Sequence, residues 1–154
     1  METCDNIVAV SKKVIMNKYI HYTFSTYKRA QILVGGLVEE MKEIFVNICE
    51  EKGLIMVCQN ILVDHVHMII NKKLSDRNEY IMKMIKGGSA YHLFKKYKVN
   101  RLEFRKLWSR GYRAYELSGE DDLQRAINYV LNQKIDGVDK RVKEAATFSR
   151  RLPN

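Results

Sequence analysis

Apolar positions along this chain fall into two periods. From Tyr19 to Thr26 the run YIHYTFST is rich in aromatic and β-branched residues and predicts a strand, followed by the basic pair Lys28-Arg29. Leu37, Met41, Ile44, Phe45 and Ile48 recur at helical spacing, with Glu39, Glu40, Lys42, Glu43 and Glu50 on the other side, so a helix is predicted over 36–52 and stopped by Gly53. Leu54 to Val63 and His65 to Asn71 are short apolar runs parted at Asp64, the pattern of an antiparallel pair. Ser75 stands where it would cap a helix through Tyr80, Ile81, Met84 and Ile85. Gly87-Gly88 interrupts that helix, and a shorter one follows through Tyr91, Leu93 and Phe94. Leu107 to Leu117 has the aromatic content of a further strand. Ser118 then caps the last helix, with Glu120, Asp121 and Asp122 in its first turn.

The order strand, helix, strand, strand, helix or helices, strand, helix predicts an α+β fold of the ferredoxin-like, split βαβ kind. An antiparallel sheet is covered by helices on one face, and its other face is where function would sit. With 154 residues the chain is expected to form a single domain, 1–154. Residues 1–17 show no clean period and are assigned to an arm or an extra strand, and 138–154 to a tail.

On the second strand of the pair, side chains alternate, so Val66, Met68 and Ile70 share one face while His65 and His67 share the other. If the apolar set packs under the helices, the two imidazoles point to the open side and form half of a metal site. Two polar surface residues give the same pattern, so a third ligand is required. In the last helix Tyr129 and Gln133 are i and i+4 and stack on one face, away from the stripe of Leu123, Ile127, Val130 and Leu131 expected to bury against the sheet. An amide oxygen there could complete a hard-metal site. Spacing alone does not single out Tyr129 among nine tyrosines.

Charge adds a partner class. Lys and Arg total 27 against 18 Asp and Glu, a formal net charge of +9, which fits a polyanion binder such as nucleic acid. Lys83, Lys86, Arg105, Arg110 and Arg113 fall in a basic stretch interleaved with Tyr91, Phe94, Tyr97, Phe104, Trp108 and Tyr112. Basic side chains track phosphates and aromatic faces stack unpaired bases, although most of Phe94, Phe104 and Trp108 are expected in the core. Three cysteines without C-x-x-C spacing indicate neither a disulfide framework nor a zinc ribbon and fit a reducing cytoplasm. No signal-type segment or run of 18 apolar residues is seen, so a secreted or membrane-spanning protein is not expected.

Asp64-His65-Val66-His67, the aromatic stretch from Trp108 to Gly119, and Tyr129-Val130-Leu131-Asn132-Gln133 together resemble the single-tyrosine transposases of the HUH nuclease superfamily, of the IS200/IS605 type. HUH denotes His-hydrophobic-His, which Val66 satisfies, and the resemblance runs from about Tyr19 to Asp136.

The resemblance implies an enzyme that cleaves and rejoins single-stranded DNA at insertion-sequence ends. His65, His67 and Gln133 would bind Mg²⁺ or Mn²⁺, Tyr129 would be the nucleophile that forms a 5′-phosphotyrosine, and Asp64 would support the imidazoles from behind. Such enzymes act on single-stranded DNA with hairpin ends, as homodimers in which the tyrosine helix of one subunit completes the histidine site of the other. The chemistry is coherent: a phosphotyrosine ester conserves the bond energy needed for rejoining, and a metal compensates for a phenol that ordinarily titrates near ~10. Lys28, Arg29, Lys83, Lys86, Arg105, Arg110 and Arg113 are the candidate DNA contacts. The palindrome-associated HUH transposases are a related reading but commonly carry Asn where this chain has Gln133. A non-catalytic ferredoxin-like single-stranded nucleic-acid-binding module is a third, weakened by the lack of a K/R-G-F-G-F-V-x-F motif.

Overall fold

A computed structural model describes residues 17–97 and 106–133. The expected arm, the tail, Phe104 and Arg105 lie outside the described residues, apart from Asn17 at the end of the arm. The elements run β1 (Asn17–Ser25), a single 3-10 turn (Tyr27–Arg29), α1 (Gly36–Glu51), β2 (Ile55–Ile61), β3 (His65–Lys73), α2 (Asn78–Tyr97), β4 (Arg113–Leu117) and α3 (Gly119–Leu131). The four strands form one sheet in the order β2-β3-β1-β4, and every neighbouring pair is antiparallel. This is the predicted ferredoxin-like α+β arrangement.

Strand alternation divides the molecule into two cores. Ile20, Tyr22 and Phe24 of β1 and Val66, Met68 and Ile70 of β3 point to one face, where they bury against Leu37, Met41, Phe45 and Ile48 of α1 and Ile81, Met82 and Ile85 of α2. Each such side chain contributes about 1.5–3 kcal/mol when fully buried, so this face holds most of the stability. On the opposite face a smaller core gathers Val57, Cys58 and Ile69 of the sheet under Leu123, Ile127 and Val130 of α3. Two helices thus cover the expected face, and the third lies across part of the open one. Leu131 departs from the predicted buried stripe and is 44% exposed. Leu123, Ile127 and Val130 already hold the i, i+4, i+7 seam, and position 131 turns past it.

Four other local expectations are corrected. α2 runs unbroken through Gly87-Gly88, because a Cβ on Gly88 would sit 3.0 Å from Ile48 Cδ1: the glycine admits α1 rather than ending a helix. Ser75 lies in the turn before α2, which starts at Asn78, and does not cap it. β4 is shorter than the aromatic stretch suggested. Leu107 and Trp108 are core residues, and Trp108 donates its indole N–H to Ser89 Oγ at 2.9 Å. At α3 the Ser118 side chain makes no capping bond. Instead its backbone N–H donates to Asp122 Oδ2 at 2.8 Å.

At the end of β1 the chain turns through Lys28 and Arg29, both in the left-handed region at φ 55° and 56°. Bonds on either side hold this turn. Thr26 N donates to Asp64 O at 2.9 Å, Thr26 Oγ1 to Ala30 O at 2.8 Å, and Tyr27 N to Leu107 O at 2.8 Å.

Candidate active site

The register of the sheet assembles a row of side chains on the open face. Asn60 of β2 pairs with His67 of β3, His67 with Thr23 of β1, and Thr23 with Arg113 of β4. Paired residues point to the same side, so these four stand abreast, with His65 opposite Ser25 next to them. His65 and His67 have ring centroids 5.0 Å apart, in an edge-on arrangement.

Each imidazole is held through its Nδ1. Asp64, almost fully buried, places Oδ1 2.7 Å from His65 Nδ1 and Oδ2 3.3 Å from Arg29 Nε, so one carboxylate links the basic turn to the histidine strand. His67, 6% exposed, has its Nδ1 3.0 Å from His21 Nε2 and 3.1 Å from Thr23 Oγ1. Burial, and then the neighbouring His65 and His21 rings, push the pKa of His67 down to about 4, and burial lowers that of His21. His67 is therefore neutral at pH 7, the form that binds metal.

α3 brings the remaining groups. Its apolar seam docks on β2 and β3, and the Asn60 amide reaches its far end, donating to Val130 O at 2.8 Å and Gln133 O at 3.2 Å. This leaves Tyr129 54% exposed, its ring centroid 5.8 Å from that of His67 and 5.9 Å from that of His21. Gln133 Nε2 donates to Tyr129 O at 3.2 Å, which leaves the amide oxygen available. His65, His67, Tyr129 and Gln133 all border one open cavity of about 540 Å³, with Arg29, Arg110 and Arg113 at its rim.

The donor set suits a divalent ion only if Gln133 is counted. No group of three or more His, Cys, Asp or Glu side chains among the described residues is arranged to hold a metal. Two imidazoles with Nδ1 engaged elsewhere offer Nε2, and the amide oxygen adds a hard donor, so the chemistry of the set is compatible with Mg²⁺ or Mn²⁺.

The candidate DNA contacts divide. Arg29, Arg110 and Arg113 line the cavity. Lys28 does not line it, and its Nζ stands 5.5 Å from the centre of the Tyr27 ring. Lys83 is exposed on α2, which covers the other face, and is not brought to the cavity. Lys86 acts inward: its Nζ donates to Ser109 O at 2.6 Å and Gly111 O at 2.8 Å, fixing the loop that carries Arg110. A second cleft, of about 610 Å³, lies between α1 and α2. Its Glu40, Glu43 and Glu51 oppose phosphate, and Lys96 is paired with Glu40 at 3.0 Å. Sequence reasoning did not find His21, Thr23 or Asn60. The alternation of β1 puts His21 and Thr23 on the open face, but only the strand register reveals that they meet His67.

Residues 14–133 match the family described as transposase IS200 like. The ISDra2 transposase TnpA of Deinococcus radiodurans is 29% identical over 77 residues, 50% of this chain and 55% of that protein, so the chain matches about half the length of this curated relative. Among solved structures, a candidate transposase from Deinococcus radiodurans R1 superimposes over 79% of this chain and 94% of its own, with a TM-score of 0.62 and 23% identity. A REP-associated tyrosine transposase bound to a REP hairpin does so over 75% and 64%, with a TM-score of 0.57 and 11% identity. At these identities the two structures establish a shared fold. No helix among the described residues is long and apolar enough to cross a membrane.

Proposed function

The chain belongs to the IS200-like transposase family, and from that premise we propose that it cleaves and rejoins single-stranded DNA by transesterification at Tyr129. The observation that carries the reading is the meeting of β3 and α3 at one cavity. There His65 and His67 face the Tyr129 and Gln133 side of the helix, with the Tyr129 and His67 rings 5.8 Å apart.

Tyr129 Oη attacks the scissile phosphorus, the bond to the 3′ oxygen breaks, and a 5′-phosphotyrosine and a free 3′ hydroxyl result. A second 3′ hydroxyl then attacks the phosphotyrosine, the bond to the phenol oxygen breaks, and a phosphodiester is restored without ATP. His65, His67 and Gln133 would hold Mg²⁺ or Mn²⁺, which when bound would withdraw charge from the phosphate. Asp64 orients His65 through Nδ1 and binds Arg29 on its other oxygen. Arg29, Arg110 and Arg113 surround the cavity with positive charge for the DNA backbone.

The substrate proposed is single-stranded DNA with hairpin ends, and the working form a homodimer. Gly119, at φ 76° where α3 begins, would let α3 swing away from its own chain's histidines, beside which it lies here, to complete the histidine site of the other copy. Labelled hairpin-bearing single-stranded DNA incubated with Mg²⁺ or Mn²⁺ should give a covalent protein–DNA adduct with the unsubstituted protein and none with Tyr129→Phe. An adduct that persists in Tyr129→Phe, or equal DNA binding by both proteins with no adduct from either, refutes the reading.

A further inference from the structure

His21 is a buried titratable side chain at the centre of the open face to which the proposed reaction assigns no task. It is 8% exposed, and its ring lies 5.3 Å from that of His67, 5.9 Å from that of Tyr129 and 6.3 Å from that of Tyr115. Its Nε2 approaches His67 Nδ1 at 3.0 Å, and Thr23 Oγ1 approaches the same nitrogen at 3.1 Å.

We propose that His21 is a positioning residue that accepts a hydrogen bond from His67 Nδ1–H and so fixes the tautomer in which His67 Nε2 carries a lone pair for a divalent cation. The inference rests on the reading of His67 as a metal ligand. A neutral imidazole has one N–H and one lone pair, and a metal takes only the nitrogen with the lone pair. His67 Nδ1 is already occupied by His21 and Thr23, so Nε2 must face the cation and Nδ1 must carry the proton. His21 then presents a bare Nε2 and keeps its own proton on Nδ1.

The double approach to His67 Nδ1 has the same meaning. A ring nitrogen without hydrogen has a single in-plane lone pair, for which two donors would compete, whereas an N–H is readily shared between two acceptors. His65 provides the contrast. Its Nδ1 is met by a carboxylate, which when ionised only accepts. The two histidines are thus oriented by different chemistry, an acid behind His65 and a neutral ring behind His67. A neutral acceptor fixes the ligand without adding negative charge beside a DNA phosphate. Because the His21 ring also touches the Tyr129 ring, one side chain braces both the metal-holding strand and the tyrosine helix.

The test uses the full chain without DNA. In ¹⁵N-imidazole spectra of the metal-free protein at one neutral pH, His67 should be protonated on Nδ1 and bare on Nε2. Mn²⁺ affinity measured by electron paramagnetic resonance should fall about 10- to 100-fold in His21→Leu, the usual effect of removing such a partner. His21→Gln, whose amide oxygen can take the place of Nε2, should restore most of it. Protonation of His67 on Nε2 overturns the inference, as does undiminished Mn²⁺ affinity in His21→Leu when His67→Ala has lost it. If His67→Ala itself binds Mn²⁺ as well as the unsubstituted protein, the metal-site reading falls first and takes this inference with it. Should His21→Leu fail to fold, the tautomer in the unsubstituted protein and the His21→Gln affinity decide.

Discussion

Replacing Asn60 by alanine should loosen the tyrosine helix while leaving the sheet intact. The Asn60 amide donates to Val130 O at 2.8 Å and Gln133 O at 3.2 Å, carbonyls at and just past the end of α3. A neutral hydrogen bond contributes about 0.5–1.5 kcal/mol net, so losing two costs about 1–3 kcal/mol. Water reaches this half-exposed helix end, which favours the lower part of the range. Against that loss, α3 is docked by the burial of Leu123, Ile127 and Val130, each contributing about 1.5–3 kcal/mol. A change of about 1–2 kcal/mol in that docking should raise the open population of the helix roughly 5- to 30-fold. Hydrogen–deuterium exchange read by mass spectrometry would show faster exchange over 119–133 with little change over 65–73, and adduct formation through Tyr129 should slow in parallel. Unchanged exchange in α3, or acceleration spread evenly over the sheet, would refute the reasoning.

Gly87→Ala should raise stability by about 0.5–1 kcal/mol, measured as the urea midpoint, because position 87 is helical and an added Cβ meets nothing within 4 Å. Lys86→Met keeps the aliphatic stem but releases the carbonyls of Ser109 and Gly111. Exchange over 109–111 should quicken, and single-stranded DNA affinity should fall in Arg110-containing protein but little further in an Arg110→Ala background, as a double-mutant cycle would reveal. Burial pushes the Cys49 thiol up to about 12, so at pH 8 it stays protonated and iodoacetamide should modify it only after denaturation. Modification of Cys49 in the native protein at the rate of a free thiol would contradict its place in the core.

What could be read from the sequence depended on whether a feature was periodic or relational. The His65–His67 alternation and the Leu37-to-Ile48 spacing are local, and the strand and α1 formed where periodicity put them. A glycine that breaks a helix and one that admits a neighbouring helix look alike in sequence, and Gly87-Gly88 shows its kind only once Ile48 is seen against Gly88. Ahead of β4, Trp108 and Leu107 carry strand-like side chains, whereas their role is to fill the core that also holds Phe24 and Phe45. His21 and Asn60 stayed hidden for a third reason. Each sits more than a helix away in sequence from the group it supports: the pairing of β1 with β3 brings His21 to His67, and the docking of the last helix on the sheet brings its end to Asn60.

The turn after β1 holds two consecutive non-glycine residues, Lys28 and Arg29, in the left-handed region, at a cost of roughly 1–3 kcal/mol each. Glycine would relax that backbone and would lose both cations. The bonds from Thr26 and Tyr27 on one side and the Arg29–Asp64 contact on the other keep the strained geometry in place. The conformational entropy of this turn is therefore lost when the chain folds rather than when a ligand arrives. If the cavity takes DNA as proposed, an entering phosphate would meet an Arg29 charge that is already aimed, so little of the attraction between them would be consumed in ordering the protein.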